Sequence, residues 1–173
     1  LDKGYGNAML VAGDIYQAYR YWEMFQSTAL KDKCAVVTSY DPKAEVSLAM
    51  GHSDEMDTEA EYKRKMALLM MDDKNAEDFE EWAKTKFVNE PAQMKLLIVV
   101  DKLLTGFDTP PTTYMYIDKK MEDHNLFQAI CRVNRLNGEL KDYGYIIDYK
   151  DLFNAVKNAI EDYTNGGFAG YSK

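Results

Sequence analysis

The sequence predicts an α/β domain built on a mostly parallel sheet. Three observations predict it. Five short apolar runs, AMLVAG (8–13), CAVVTSY (34–40), KLLIVVD (95–101), TYMYID (113–118) and YGYIIDY (143–149), are nearly continuous and do not alternate. Strands covered on both faces of a parallel sheet read this way. Helical stripes fill the gaps between the runs, which is the alternation of a βα repeat. Turn-forming or polar residues close the runs: Gly13-Asp14, Ser39, Asp101, Asp118 and Asp148. Open parallel sheets place their functional loops at those carboxyl ends.

The elements follow in order. Residues 14–26 put Ile15, Ala18, Tyr19, Trp22 and Phe25 at helical spacing, with Asp14 as N-cap. Pro42 to Asp57 shows no strong period, and GHSDEMD (51–57) reads as an exposed acidic loop; 42–75 is taken as a candidate flexible insertion. A capping-box pattern, Thr58-x-x-Glu61, nevertheless opens a helix at 58–71 with Tyr62, Met66, Leu69 and Met70 in its stripe. Residues 76–88 form another, with Phe79, Trp82, Ala83 and Phe87. Further helices are expected at 124–135 and 151–163, the last with Leu152, Val156, Ile160 and Tyr163. One domain, 1–165, is followed by a Gly-rich tail, 166–173, which should fray. The chain opens at Leu1 and runs quickly into a strand, so it reads as a fragment of something larger.

Composition narrows the function. A chain of 173 residues, 46% hydrophobic, suits one domain with a sizeable core. Lys and Arg number 21 against 29 Asp and Glu, a net charge of −8, which argues against a whole surface devoted to polyanions. Local basic patches remain open at 31–33, 84–86 and Lys119-Lys120. Cys34 and Cys131 lie in apolar runs without metal spacing and read as buried, reduced thiols of a cytoplasmic protein. His52 and His124 show no ligand spacing either, so no metal site is expected. No apolar run approaches the roughly 20 residues of a membrane span, and no signal peptide is expected.

The most specific stretch is HNLFQAICRVNR (124–135). At 100° per residue, Gln128, Arg132 and Arg135 fall within about 60° of one another. Leu126, Phe127, Ile130 and Val133 supply the apolar side. Two guanidiniums on one face need an anion: carboxylate or phosphate, which their forks bond in bidentate fashion. Internal pairing to Asp108, Asp118 or Asp148 is the bland alternative. Upstream, DKLLTGFDTPP (101–111) ends a strand with Thr105, Gly106, Asp108 and Pro110. Gly106 permits a tight turn or close approach to a ligand, and Asp108 is an acceptor for a ribose hydroxyl or an arginine.

In that order, LLTGFDTP resembles motif V and QAICRVNR motif VI of superfamily 2 helicases and translocases. The wording, through MYIDKKMEDHNLFQAICRVNRLNGELKDYGYIIDY, is similar to the motor (R) subunit of type I restriction enzymes. AMLVAGDIYQAYRYWEMF and CAVVTSYDP are similar to the opening of that family's second RecA-like lobe. The resemblance spans roughly 5–163 and is strongest over 95–150. It implies a RecA-like three-layer domain with five to six strands, closing over ATP and Mg2+ held by a first lobe. Arg132 and Arg135 would be arginine fingers, and Gln128 would orient them or the attacking water. Gly106 and Asp108 would contact the nucleotide; Thr105, Thr38 and Ser39 would contact DNA phosphates. Implied partners are the first motor lobe and nuclease domain of the same polypeptide, double-stranded DNA, and methylase and specificity subunits. The whole would be an ATP-dependent type I site-specific deoxyribonuclease.

This chain has no G-x-x-x-x-G-K-[ST] loop, no acidic Mg2+ box at a strand end and no nuclease-like carboxylate set. The isolated chain is therefore expected to be inactive. Two alternatives stay open: the second lobe of another superfamily 2 motor, or a free-standing α/β binding or scaffold domain whose arginines are salt-bridged internally.

Overall fold

A computed structural model of the chain describes residues 6–44, 58–102, 112–121, 133, 144–154 and 157. Its centre is β1 (Asn7–Ala12), buried along its whole length. It is followed by α1 (Ile15–Phe25), β2 (Cys34–Val37), α2 (Thr58–Met71), α3 (Ala76–Asn89), β3 (Leu96–Val99), β4 (Thr112–Asp118) and β5 (Tyr145–Asp148). The five strands lie in the order β2-β3-β1-β4-β5, and every pairing is parallel. The parallel α/β architecture expected from the apolar runs is therefore present. Val11 stands opposite Val99, Ala12 opposite Asp118 and Ile117 opposite Asp148. The carboxyl ends of β3, β1, β4 and β5 thus finish level, on one edge.

Asp14 caps α1 as expected: its extended backbone (φ −151°) lets Oδ1 accept the Gln17 amide at 2.7 Å. Asp14→Ala should cost about 1 kcal/mol and lower the thermal midpoint by roughly 2–4 °C, read by thermal unfolding. Asp14→Asn should recover most of that. Ala18, Tyr19 and Trp22 point into the core. Asn75 caps α3 in the same way, through Oδ1 and the Asp78 amide at 2.8 Å.

Helices lie on both faces of the sheet. Tyr21 and Phe25 of α1 stand over Ala8, Leu10, Leu96 and Tyr116. Asn7, whose side chain alternation sends to the opposite face, donates to the carbonyls of Phe87 at 3.2 Å and Met94 at 2.8 Å. That places the end of α3 on the far side. The arrangement obeys chain handedness: β1 to β2 and β2 to β3 step in opposite directions, so right-handed crossovers put their helices on opposite faces. α2 packs on α1, where Tyr62 donates to Glu23 at 2.6 Å and meets Tyr16 edge-on. Its Met70 Sδ accepts the outward Val36 amide of the edge strand β2 at 3.2 Å, covering a group that would otherwise stand open.

Three sequence expectations need correcting. Leu69 is 65% exposed, and Met66, Ala67 and Met71 are what α2 buries. Trp82, expected in the core stripe of α3, is an exposed flank residue; the Lys74 and Lys86 ammoniums lie 5.4 and 5.1 Å from its ring centre. Both residues sit at the margin of their stripe, where spacing alone does not decide which side of a helix meets the sheet. Burial on both faces holds for β1, β2 and β3, but β4 alternates and β5 is half-open. Met115 and Ile117 are buried, while Tyr114 and Tyr116, on the α1 side, are only partly buried. Cys34 is buried and free, and burial pushes its thiol up to about 12, so it is no nucleophile.

Candidate functional site at the carboxyl edge of the sheet

The chain leaves β1 toward β2 and leaves β4 toward β5, in opposite directions. The crevice between the carboxyl ends of β1 and β4 is therefore a topological switch point, where open α/β sheets bind ligands. Gly13 lies there. A Cβ on it would fall 2.9 Å from Gln17 Oε1 and at an ordinary 3.5 Å from the Asp118 carbonyl, so the missing side chain makes room for the Gln17 amide over the turn. The Gly13 amide donates to Gln17 Oε1 at 2.6 Å.

Asp118 organises this edge. Its Oδ2 accepts from Gln17 Nε2 at 2.8 Å and from the Tyr21 hydroxyl, and its Oδ1 meets Lys150 Nζ at 2.7 Å. Burial pushes the carboxyl up, but the Lys150 ammonium and the Tyr21 and Gln17 donors outweigh it and hold it below its ordinary value. The Tyr21 hydroxyl is pushed up to about 12, first by burial and then by Asp118, so it stays a donor. The linkage has a definite sign. A carboxyl held low in the folded state contributes fully above its ordinary pKa, and loses that contribution as pH falls through the folded value. Asp118→Asn should cost about 1–2 kcal/mol at neutral pH. Its deficit against wild type should shrink as pH drops from about 5 to about 3, measured by denaturant unfolding at each pH. A deficit independent of pH would show that the charge is not what holds the cluster.

Charged pairs join the neighbouring exits. Lys119 Nζ bonds Asp101 Oδ1 at 2.5 Å and the Val100 carbonyl at 3.4 Å. Lys102 bonds Glu80 of α3 at 2.5 Å, and Glu80 also holds Lys84 at 3.3 Å. Lys84 and Lys119, both candidates for a basic patch, are thus neutralised internally, because carboxylates lie within their reach. After β5, Asp148 accepts the amides of Lys150, Leu152 and Phe153 at 2.8, 2.5 and 3.2 Å and so caps the next helical turn.

A cavity of about 440 Å3 opens beside this cluster, walled by Leu10, Tyr21, Phe25, Tyr116, Asp118 and Tyr149 among others. Among the described residues its wall has one carboxylate and no cation, which offers a polyphosphate no partner. Among the described residues no group of His, Cys, Asp and Glu could hold a metal ion. Nor is any described helix long and apolar enough to cross a membrane.

Residues 4–151 match the family described as type I restriction enzyme subunit R domain 3. The chain belongs to that family. This R-subunit domain 3 is 47% identical over 79 residues to the type I restriction enzyme HindI endonuclease subunit of Haemophilus influenzae, a match covering 44% of the chain and 7% of that subunit. It is 41% identical over 69 residues to the type I restriction enzyme SsaAORF53P endonuclease subunit of Staphylococcus saprophyticus, covering 40% of the chain and 7% of that subunit. Among solved structures, the ATP-dependent type ISP restriction-modification enzyme LlaBIII bound to DNA is similar at a TM-score of 0.45. The identity there is 20%, over 83% of this chain and 8% of that one. The match therefore spans only a small part of the curated relatives' length.

Within domain 3, Gln128, Arg132, Arg135, Thr105, Gly106 and Asp108 lie outside the described residues, as does Cys131. The described residues do show where their segments leave and arrive. The stretch 103–111 leaves β3 at the carboxyl edge through Asp101 and Lys102, and 122 onward leaves β4 there through Lys119 to Met121. Val133, expected on the apolar side of the arginine helix, is buried at 1% exposure. It packs on Gly144 at the amino end of β5, so closely that a Cβ on Gly144 would fall 2.3 Å from the Val133 carbonyl oxygen. Thr38 is half-buried; its hydroxyl accepts the Tyr40 amide at 3.2 Å, whereas Ser39 is exposed. The Asp118 network and the Asp101–Lys119 pair were not anticipated as a site. Their one signal in the sequence is that both aspartates end apolar runs.

Proposed function

We propose that this domain 3 is the second lobe of an ATP-driven DNA translocase motor within the type I restriction enzyme, and that it completes ATP hydrolysis on a first lobe. The observation that carries the reading is topological. The stretch bearing Thr105, Gly106 and Asp108 departs from β3, and the stretch that leads to Gln128, Arg132 and Arg135 departs from β4, with Val133 further along it packed at the amino end of β5. Those two strands flank β1 at the switch-point edge.

In this reading Arg132 and Arg135 donate guanidinium N–H bonds to the γ-phosphoryl oxygens as the bridging oxygen takes charge. Gln128 aligns the attacking water or the arginines. Gly106 and Asp108 approach the nucleotide and tie its state to the DNA side, where Thr105, Ser39 and Thr38 meet phosphates. Of the last two, Ser39 is exposed and Thr38 half-buried; the Thr38 hydroxyl accepts the Tyr40 amide and keeps its own proton to donate. ATP and its Mg2+, whose positive charge would offset the negative charge of the phosphates, would be held mainly by the first lobe. Two of the three carboxylates named as internal partners for the arginines are occupied. Asp118 and Asp148 each accept three described donors, leaving little for a two-pronged guanidinium. The buried Val133 supports the same view, since it commits the apolar side of that segment to the core. The nuclease domain, the methylase and specificity subunits, double-stranded DNA and a cytoplasmic location complete the proposed assembly.

DNA-dependent ATP hydrolysis by full-length subunits carrying Arg132→Ala or Arg135→Ala tests this. Loss of turnover with ATP still bound is expected, and normal turnover in both variants would refute the arginine assignment.

A further inference from the structure

We infer that Lys119 is a positioning residue for the proposed ATP hydrolysis, a strut across the end of β1 that holds the exit of β3 against the exit of β4. The inference rests on the reading above, because the segment it positions is the one that reading brings to the nucleotide.

Two adjacent residues turn in opposite directions. Asp118 engages Gln17 and Tyr21 of α1 and Lys150 after β5. Lys119 instead reaches past β1 to Asp101 at 2.5 Å and to the Val100 carbonyl. β3 and β4 share no ladder, since β1 lies between them. Their axes are therefore about 10 Å apart, a gap that needs a long cationic side chain. Lys102, next along the chain, is held the other way, by Glu80 of α3 at 2.5 Å. The two residues that end the exit of β3 are thus tied to two different elements, Asp101 to the exit of β4 and Lys102 to α3.

The strut contributes little to stability. Asp101 is 77% exposed in its side chain, and ion pairs of that kind add about 0–1 kcal/mol. Its effect is on geometry, where a displacement of about 1 Å can cost up to about 10²-fold in rate. The signature is therefore a loss of turnover without a loss of fold.

The experiment measures DNA-dependent ATP hydrolysis and thermal unfolding of the full-length subunit in its DNA-bound complex. The variants are Lys119→Met, Lys119→Arg, Asp101→Asn and the exchanged pair Asp101→Lys with Lys119→Asp. Lys119→Met and Asp101→Asn should each lower kcat about tenfold, with the KM for ATP within about twofold and an unchanged melting temperature. Lys119→Arg should restore turnover, and the exchanged pair should exceed Lys119→Met. Wild-type kcat in Lys119→Met overturns the inference. So does a kcat loss matched by a loss of melting temperature, or failure of Lys119→Arg to restore turnover. Arg132→Ala separates the two levels: if it stays active, the functional reading falls and takes the strut with it. If it is dead while Lys119→Met turns over normally, the strut alone is wrong.

Discussion

Arg132→Ala in the full-length subunit is expected to slow DNA-dependent ATP hydrolysis by about 10³–10⁵ while ATP binding survives. A guanidinium aimed at the transferred phosphoryl group acts most strongly when charge develops on the phosphoryl oxygens and leaving group, so its loss appears in kcat. Val133, the next residue, is buried and is left untouched by the substitution. Arg132→Lys keeps the charge but loses the planar fork and should stay well below wild type. Arg135→Ala is expected to behave alike, because helical spacing would put the two positions on one face. Steady-state turnover, paired with binding of a non-hydrolysable ATP analogue, checks this. If both alanine variants lose ATP binding as well, the arginines hold the ground state and are not fingers.

Phe87→Ala should be the most damaging single truncation in the described core, at about 3–5 kcal/mol. Phe87 is fully buried in the last turn of α3, and removing its ring leaves a cavity that the sheet cannot collapse to fill. Its carbonyl also takes the buried Asn7 amide, so any shift of α3 loosens the start of the central strand. Against a typical stability of about 5–15 kcal/mol, the variant should be marginal at 37 °C. Trp82→Ala on the same helix removes an exposed flank ring and should cost less than about 1 kcal/mol. Urea denaturation of the two variants makes the comparison. Equal losses would mean that α3 is not docked through Phe87.

What was legible in the chain follows from local chemistry. The runs at 8–13, 34–40 and 95–101 are apolar on every residue that matters, and strands of that kind are stable only when covered on both faces; the sheet bears this out at β1, β2 and β3. Asp14 before an amphipathic stripe is a cap by the reach of its own side chain, and the structure has it so. Leu69 and Trp82 were misjudged because a stripe has margins, and the margin's fate depends on what lies opposite. The polar ends of the strands were visible as a set, but their pairing was not.

The sequence by itself determined that the fold is α/β with parallel strands and helices capped where they are, and its wording pointed to the family that the chain belongs to. Periodicity and capping act within a few residues, so they can be read along a line. The tertiary structure alone decided the order β2-β3-β1-β4-β5. With that order came the level carboxyl edge, the turning of Asp118 toward α1 and Lys150, and the span of Lys119 across β1 to Asp101. Those contacts join residues far apart in the chain. Charged side chains find partners by distance in space, which the sheet order sets and residue spacing does not.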